Sequence, residues 1–329
     1  MKKVLSHPVF HILVTGLILA TVLVCVFPNA MPRLSWVINY AVQLMLFFLL
    51  AGLVMLFLGQ PRLTFAFFGG CVLLVLFLKY SVKGDGIERW RNQVRQRHLA
   101  SGHPVSDLKV AHINLTNANS RAEVAAILKT IRADILSLHE VTPGWAQWLA
   151  DSLDTGHPFR HIMVDLGIFG VGVYSNYKLI NVDTFFYKDI PNLMCQMEKD
   201  GSPFHLISVH TKPALDELSK NQLEEHLNRV QQKINNEKGA KLVAGDFNAV
   251  SWSGQLQSFL DHTGLMESRT GFLPGSFSGK ISLFDVPLDH IFYSGEFVCT
   301  HFQNINGQSG QHLGILGTYR FPLQTNHVQ

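Results

Sequence analysis

From residue 109 onward, carboxylates, amides and imidazoles occur singly beside short apolar runs of this 329-residue chain. Asn114 closes the run 110–113, Glu140 the run 135–138, His210 the run 204–209, and Asp246 with Asn248 the run 241–244. Asp289 with His290 and then His312 stand beside later runs. All are expected at the C-terminal ends of strands. Together they could hydrolyse a phosphate ester, which needs charge stabilised on three oxygens, a positioned water and help for the leaving group. A hard cation held by one or two carboxylates and the substrate supplies the first. An aspartate beside an amide can aim the water while the amide binds phosphate. An imidazole backed by a carboxylate favours the charged form that pairs with phosphate. Taken singly, each residue has a plainer use: Asn114 as a turn residue, Glu140 in the first turn of a helix after Thr142-Pro143, His210 as a core histidine, Asp289 as a strand-end cap.

The elements that must carry these residues are legible in outline. Strands are expected over 110–115, 135–138, 204–209, 241–244, 288–293 and 315–319. The spacing of Val124, Ile127, Leu128 and Ile131 predicts a helix over 121–132. A second helix is predicted by Leu223, Leu227, Val230 and Ile234. The result is a mixed α/β domain over 109–321, a normal size for one domain.

The succession Ala111-His112-Ile113-Asn114, Leu138-His139-Glu140-Val141, Ser208-Val209-His210-Thr211, Gly245-Asp246-Phe247-Asn248-Ala249 and Leu288-Asp289-His290-Ile291 resembles the endonuclease/exonuclease/phosphatase superfamily. Gly-Asp-Phe-Asn-Ala after an apolar strand is its most specific part. The resemblance implies a two-sheet β-sandwich flanked by helices, in four α-β-β-α layers, with strand ends converging on Mg²⁺ or Mn²⁺. It puts Glu140 in the metal-ligand position with Asn114 beside it, and Asp246 where the attacking water is oriented. Asn248 would bind a phosphate oxygen, His210 would contact phosphate or assist the leaving group, and Asp289 would hold His312. The family ends in Ser-Asp-His, whereas this chain has Ser309-Gly310-Gln311-His312. Gln311 therefore stands at a metal-site carboxylate position with one negative charge fewer, which should lower metal affinity and activity.

The first 82 residues are of another kind. Apolar segments over 9–27, 34–58 and 63–80 contain no Asp or Glu, and about 20 apolar residues span a bilayer. Three transmembrane helices are expected there, then a basic linker over 83–108. Only 16% of the chain is charged, which excludes a disordered chain. Residues 98–329 carry 17 Lys or Arg against 22 Asp or Glu, a balance of −5 that argues against DNA as partner. Charge signals for orientation conflict. Lys2, Lys3 and the first helix favour a cytoplasmic N-terminus and a body outside, whereas Lys79 to Arg97 favour a cytoplasmic body. The anchor gives a further resemblance, to the vancomycin-resistance-type bacterial membrane phosphatases. It implies a multi-pass inner-membrane protein, its catalytic domain on the outer face, acting on a lipid-linked pyrophosphate. The other readings are a sphingomyelinase-like phosphodiesterase, a nuclease, or a binding domain weakened by Gln311. Cys195 and Cys299 are free to pair if the compartment is oxidising, and the pattern specifies no oligomeric state.

Overall fold

Valine, isoleucine and leucine runs bounded by polar turns suit a pleated, doubly covered surface, and a computed structural model of the chain places them in two sheets. The structure describes residues 7–81, 105–153, 156–269 and 286–322. One six-stranded sheet has the order β11-β12-β1-β2-β4-β3 and the other β5-β6-β7-β8-β10-β9. The central strands are β1 (Val105–Asn114), β2 (Ile135–His139), β4 (Val171–Ser175) and β12 (His312–Pro322) in the first sheet. Those of the second are β6 (Ile190–Lys199), β7 (Ser202–His210), β8 (Ala240–Asp246) and β10 (Asp289–Tyr293). β3 (Phe159–Met163) and β11 (Val298–Asn306) lie at the edges of the first sheet, β5 (Ile180–Tyr187) and β9 (Met266–Glu267) at those of the second. β1 pairs parallel with β2, and β7 with β8. Parallel neighbours need a crossover, and two of the domain's amphipathic helices supply it. They are α4 (Arg121–Ile131) and α6 (Glu217–Asn236); α5 (Pro143–Leu153) and α7 (Gly254–Thr263) complete the set.

The two-residue period of a strand decides what faces the sandwich interior. Leu108 and Val110, Ile135, Phe204 and Leu206, Leu242 and Ala244, and Ile291 and Tyr293 share one apolar core. Ala111, Ile113, Leu136 and Leu138 pack on the other side with Val124 and Ile131 of α4 and Leu149 of α5. Continuing the inward period brings His112 and Asn114, Ser137 and His139, Ser208 and His210, Asp246 and Asp289 onto that same face. One end of the sandwich is therefore apolar, and the other is lined with polar and titratable groups. Asp289 and His312 begin their strands rather than ending them, which corrects the expectation. β10 runs antiparallel to β8 and β12 to β1, so their first residues reach the same edge as the last residues of their partners.

By contacts, the chain divides into two compact units: Met1–Lys83 with Pro213–Glu224 and Ala249–Gln257, and the remainder. The first holds three helices long and apolar enough to cross a membrane, at Pro8–Val26, Arg33–Phe57 and Pro61–Ser81, close to the expected limits. The second of these runs as a 3-10 helix, Pro32–Tyr40, before becoming α2 (Ala41–Phe57). A Cβ on Gly70 of α3 (Pro61–Ser81) would lie 2.5 Å from Ile18 of α1 (Pro8–Val26) and 3.0 Å from Phe48 of α2. The bare backbone there lets three helices meet, as small residues do in membrane bundles. The two later segments are bonded into the same unit. The Trp252 indole donates to Ile38 O at 2.8 Å, and Lys220 Nζ donates to Asn29 Oδ1 at 2.5 Å. The basic stretch 83–97 lies outside the described residues. β1 starts at Val105, four residues before the expected boundary, and no disulfide forms among the described residues.

Candidate active site

Asn114 and Glu140 leave the parallel strands β1 and β2 side by side, and Asn114 Nδ2 donates to Glu140 Oε1 at 2.7 Å. Glu140 reaches that position with a φ of 59°, uncommon for a residue with a side chain, and Asn248 has one of 48°. Strained positions that the surroundings hold in place concentrate at functional sites. Across the sandwich, Asp246 Oδ1 accepts from Asn248 N at 2.9 Å, and Asn248 Nδ2 donates to Thr211 O at 2.7 Å. The turn after β8 is thereby tied to the end of β7. Gly245 permits this closeness, because a Cβ there would fall 1.9 Å from Val209 O. Asp289 Oδ2 lies 2.7 Å from His312 Nε2, and its Oδ1 lies 3.8 Å from His112 Nε2.

Behind these groups runs a column of buried imidazoles. His139 stacks on His210 with centroids 4.7 Å apart and meets the edge of His112 at 4.3 Å. Ser208 Oγ bridges Ser137 Oγ at 2.8 Å and His139 Nε2 at 3.1 Å. Burial, then neighbouring positive charge, lowers these histidines: His139 falls well below the usual imidazole range and His210 to about 4. His210 is thus neutral at pH 7 and would meet a phosphate as a hydrogen-bonding group. Its Nδ1 has no hydrogen-bond partner among the described residues.

The carboxylates divide. Burial pushes Asp289 up, but His112 and His312 outweigh it and hold the group below the usual range. Asp246 goes well above it, through burial, Asp289 and Glu140, against the opposing bond from Asn248 N. That surplus of negative charge fits a cation. Glu140 would hold it, with Asn114 beside it, and a hard cation keeping several waters needs only one or two carboxylates plus substrate phosphate. No group of three His, Cys, Asp or Glu in ligating geometry occurs among the described residues.

Of the eight expected residues, seven lie at this end of the sandwich. Gln311 is turned elsewhere: its Nε2 lies 3.2 Å from both carboxylate oxygens of Glu123, and its Oε1 accepts from Ser309 Oγ. To reach a cation at Glu140 it would have to give up those bonds. Glu123 also accepts from Gln308 N at 2.6 Å and Asn119 N at 2.9 Å. Its signal was the Ser120-x-x-Glu123 capping pattern, in which Ser120 caps the helix. His139, His112, Ser137 and Ser208 were missed as well, although inward alternation on β1, β2 and β7 marks them. Phe169 lies against His210 with centroids 5.4 Å apart, and Trp252 is buried.

Residues 110–310 match the model of the Endonuclease/Exonuclease/phosphatase family. Among solved structures, that of D. rerio TDP2 complexed with single-strand DNA product aligns with TM-score 0.53 at 16% identity, covering 65% of this chain and 99% of that one. An endonuclease/exonuclease/phosphatase family protein from Bacteroides thetaiotaomicron aligns at 0.52 and 16% identity, over 67% and 100%. Sphingomyelinase C from Streptomyces griseocarneus aligns at 0.51 and 15%, over 64% and 99%. These likenesses establish the shared fold. No curated protein matches the chain.

Proposed function

Because the chain belongs to the endonuclease/exonuclease/phosphatase family, we propose that it is a membrane-anchored, divalent-metal-dependent phosphoesterase acting on a lipid-linked pyrophosphate. The supporting observation is the gathering of Glu140 with Asn114, Asp246 with Asn248, His210, and Asp289 with His312 at one end of the sandwich. Burial, Asp289 and Glu140 raise Asp246 well above the usual carboxylate range, which makes it a better acceptor for a proton from water. Asn248 fixes that carboxylate through its own amide, and His210 and His312 offer the ring nitrogens for phosphate and leaving group. Mg²⁺ or Mn²⁺ at Glu140, when bound, supplies charge stabilisation on the phosphoryl oxygens. The lipid-borne substrate, and with it the likeness to vancomycin-resistance-type phosphatases, rests on the three apolar helices and the acidic body.

Purified full-length protein with Mg²⁺ or Mn²⁺ should hydrolyse a polyprenyl pyrophosphate faster than sphingomyelin, a nucleotide or single-stranded DNA. Asp246→Asn should lose about 10²–10⁴-fold in rate, while its metal-free melting temperature rises because a buried like charge is gone. A folded Asp246→Asn protein with parental activity would overturn the assignment. The second reading, a binding domain of weak activity, is favoured by Gln311 being held on Glu123. It predicts substrate binding with no turnover in the same panel.

A further inference from the structure

The loop 164–170 between β3 and β4 exposes three large apolar side chains: Val164 is 52% exposed, Leu166 89% and Ile168 49%. The loop is tightly built. The Asp165 carboxylate accepts from Gly167 N at 3.1 Å and Phe169 N at 3.3 Å, and Asp165 N donates to Val141 O at 3.2 Å. At its base, a Cβ on Gly170 would come within 2.1 Å of Val141 O, so that end is pressed against the backbone after Glu140. Phe169 is the inward residue. Its ring lies against His210, and Lys212 Nζ sits 5.2 Å from its centroid. A fixed apolar tip thus stands one residue from a ring that touches the candidate site, with an ammonium beside it.

The chain itself indicates what covers this tip. His210 is three residues from Pro213, and three extended residues reach only ~10 Å. Pro213 opens a segment that belongs to the same compact unit as the apolar helices, with Lys220 bonded to Asn29 just past the end of α1. In that segment Leu215 and Leu218 are also exposed. We propose that the β3–β4 loop is a membrane-inserting lip. Val164, Leu166 and Ile168 enter the boundary between headgroups and acyl chains of the bilayer that the helices span, and Lys212 pairs with an anionic headgroup. A substrate carried in the membrane then reaches His210 without leaving it. This inference rests on the lipid-borne substrate proposed above.

The test uses full-length protein with its native cysteines replaced by alanine, in vesicles of three parts phosphatidylethanolamine to one of phosphatidylglycerol. A nitroxide on Leu166→Cys should collide more with oxygen than with a water-soluble nickel chelate. The same label on Glu296→Cys, exposed after β10, should show the reverse. In otherwise unmodified protein, Leu166→Ser should raise KM for vesicle-borne polyprenyl pyrophosphate about tenfold, the factor that burying one leucine is worth. Hydrolysis of a short water-soluble phosphate ester should stay unchanged. A water-exposed label at 166 overturns the lip even if the lipid pyrophosphate is hydrolysed. A lipid-exposed label without that hydrolysis keeps the lip and removes the substrate.

Discussion

Gln311 carries the departure from the family pattern, and its partner explains why the amide is tolerated. Glu123 is buried and collects two backbone amides and the Gln311 amide; burial raises its carboxyl, but these bonds outweigh it and keep the group low. An aspartate at 311 would set a second negative charge against it. Gln311→Asp should therefore lower metal-free stability by about 1–3 kcal/mol, the cost of a lost bond on a buried polar group. That is a fall of about 2–4 °C per kcal/mol in thermal melting. Adding Glu123→Gln should restore most of it, and equal melting of all three proteins would show that the contact is not made. Position 311 is recognisable from its neighbours Ser309 and His312, whereas its partner lies 188 residues away and no local pattern announces it.

The elements that position the site were also the most legible. β1, β2, β7, β8 and β10 sit inside their sheets and carry short apolar runs that end beside the polar residues of the site. β3, β5 and β11 lie at sheet edges and mix polar with apolar residues, Ile180–Tyr187 being exposed along much of its length. An edge strand needs only one apolar face, so its pattern fades into that of a loop. Parallel pairing of β7 with β8 sets His210 opposite Asp246, and it depends on the bare backbone of Gly245. Gly245→Ala should cost about 3 kcal/mol, the upper end of overpacking. Activity should fall with it at a temperature where the protein is still folded, because the added methyl drives β7 from β8 next to the site. Parental melting and turnover would mean that the strands can absorb the methyl.

At the scale of the whole molecule, three helices long and apolar enough to cross a membrane are evident from length and composition alone, because lipid demands long unbroken apolar helices. Which side the body faces is a matter of charge at the ends, where Lys2 and Lys3 oppose Lys79 to Arg97. We expect the N-terminus in the cytoplasm and residues 98–329 outside. An alkaline phosphatase fused after Gln329 should be active, and activity only of a cytoplasmic reporter would reverse the arrangement. That residues 213–224 and 249–257 belong with the helices could not be read, since it rests on packing between distant parts of the chain, two hydrogen bonds among it. Those bonds bear on how such a protein can change over evolution. A gene fusion that exchanged residues 1–83 for another anchor would leave the Trp252 indole without its carbonyl and Lys220 without its amide. Anchor and sandwich are therefore not interchangeable cassettes, and substitutions in the turn 28–40 must be matched in the two loops that follow His210 and Asn248.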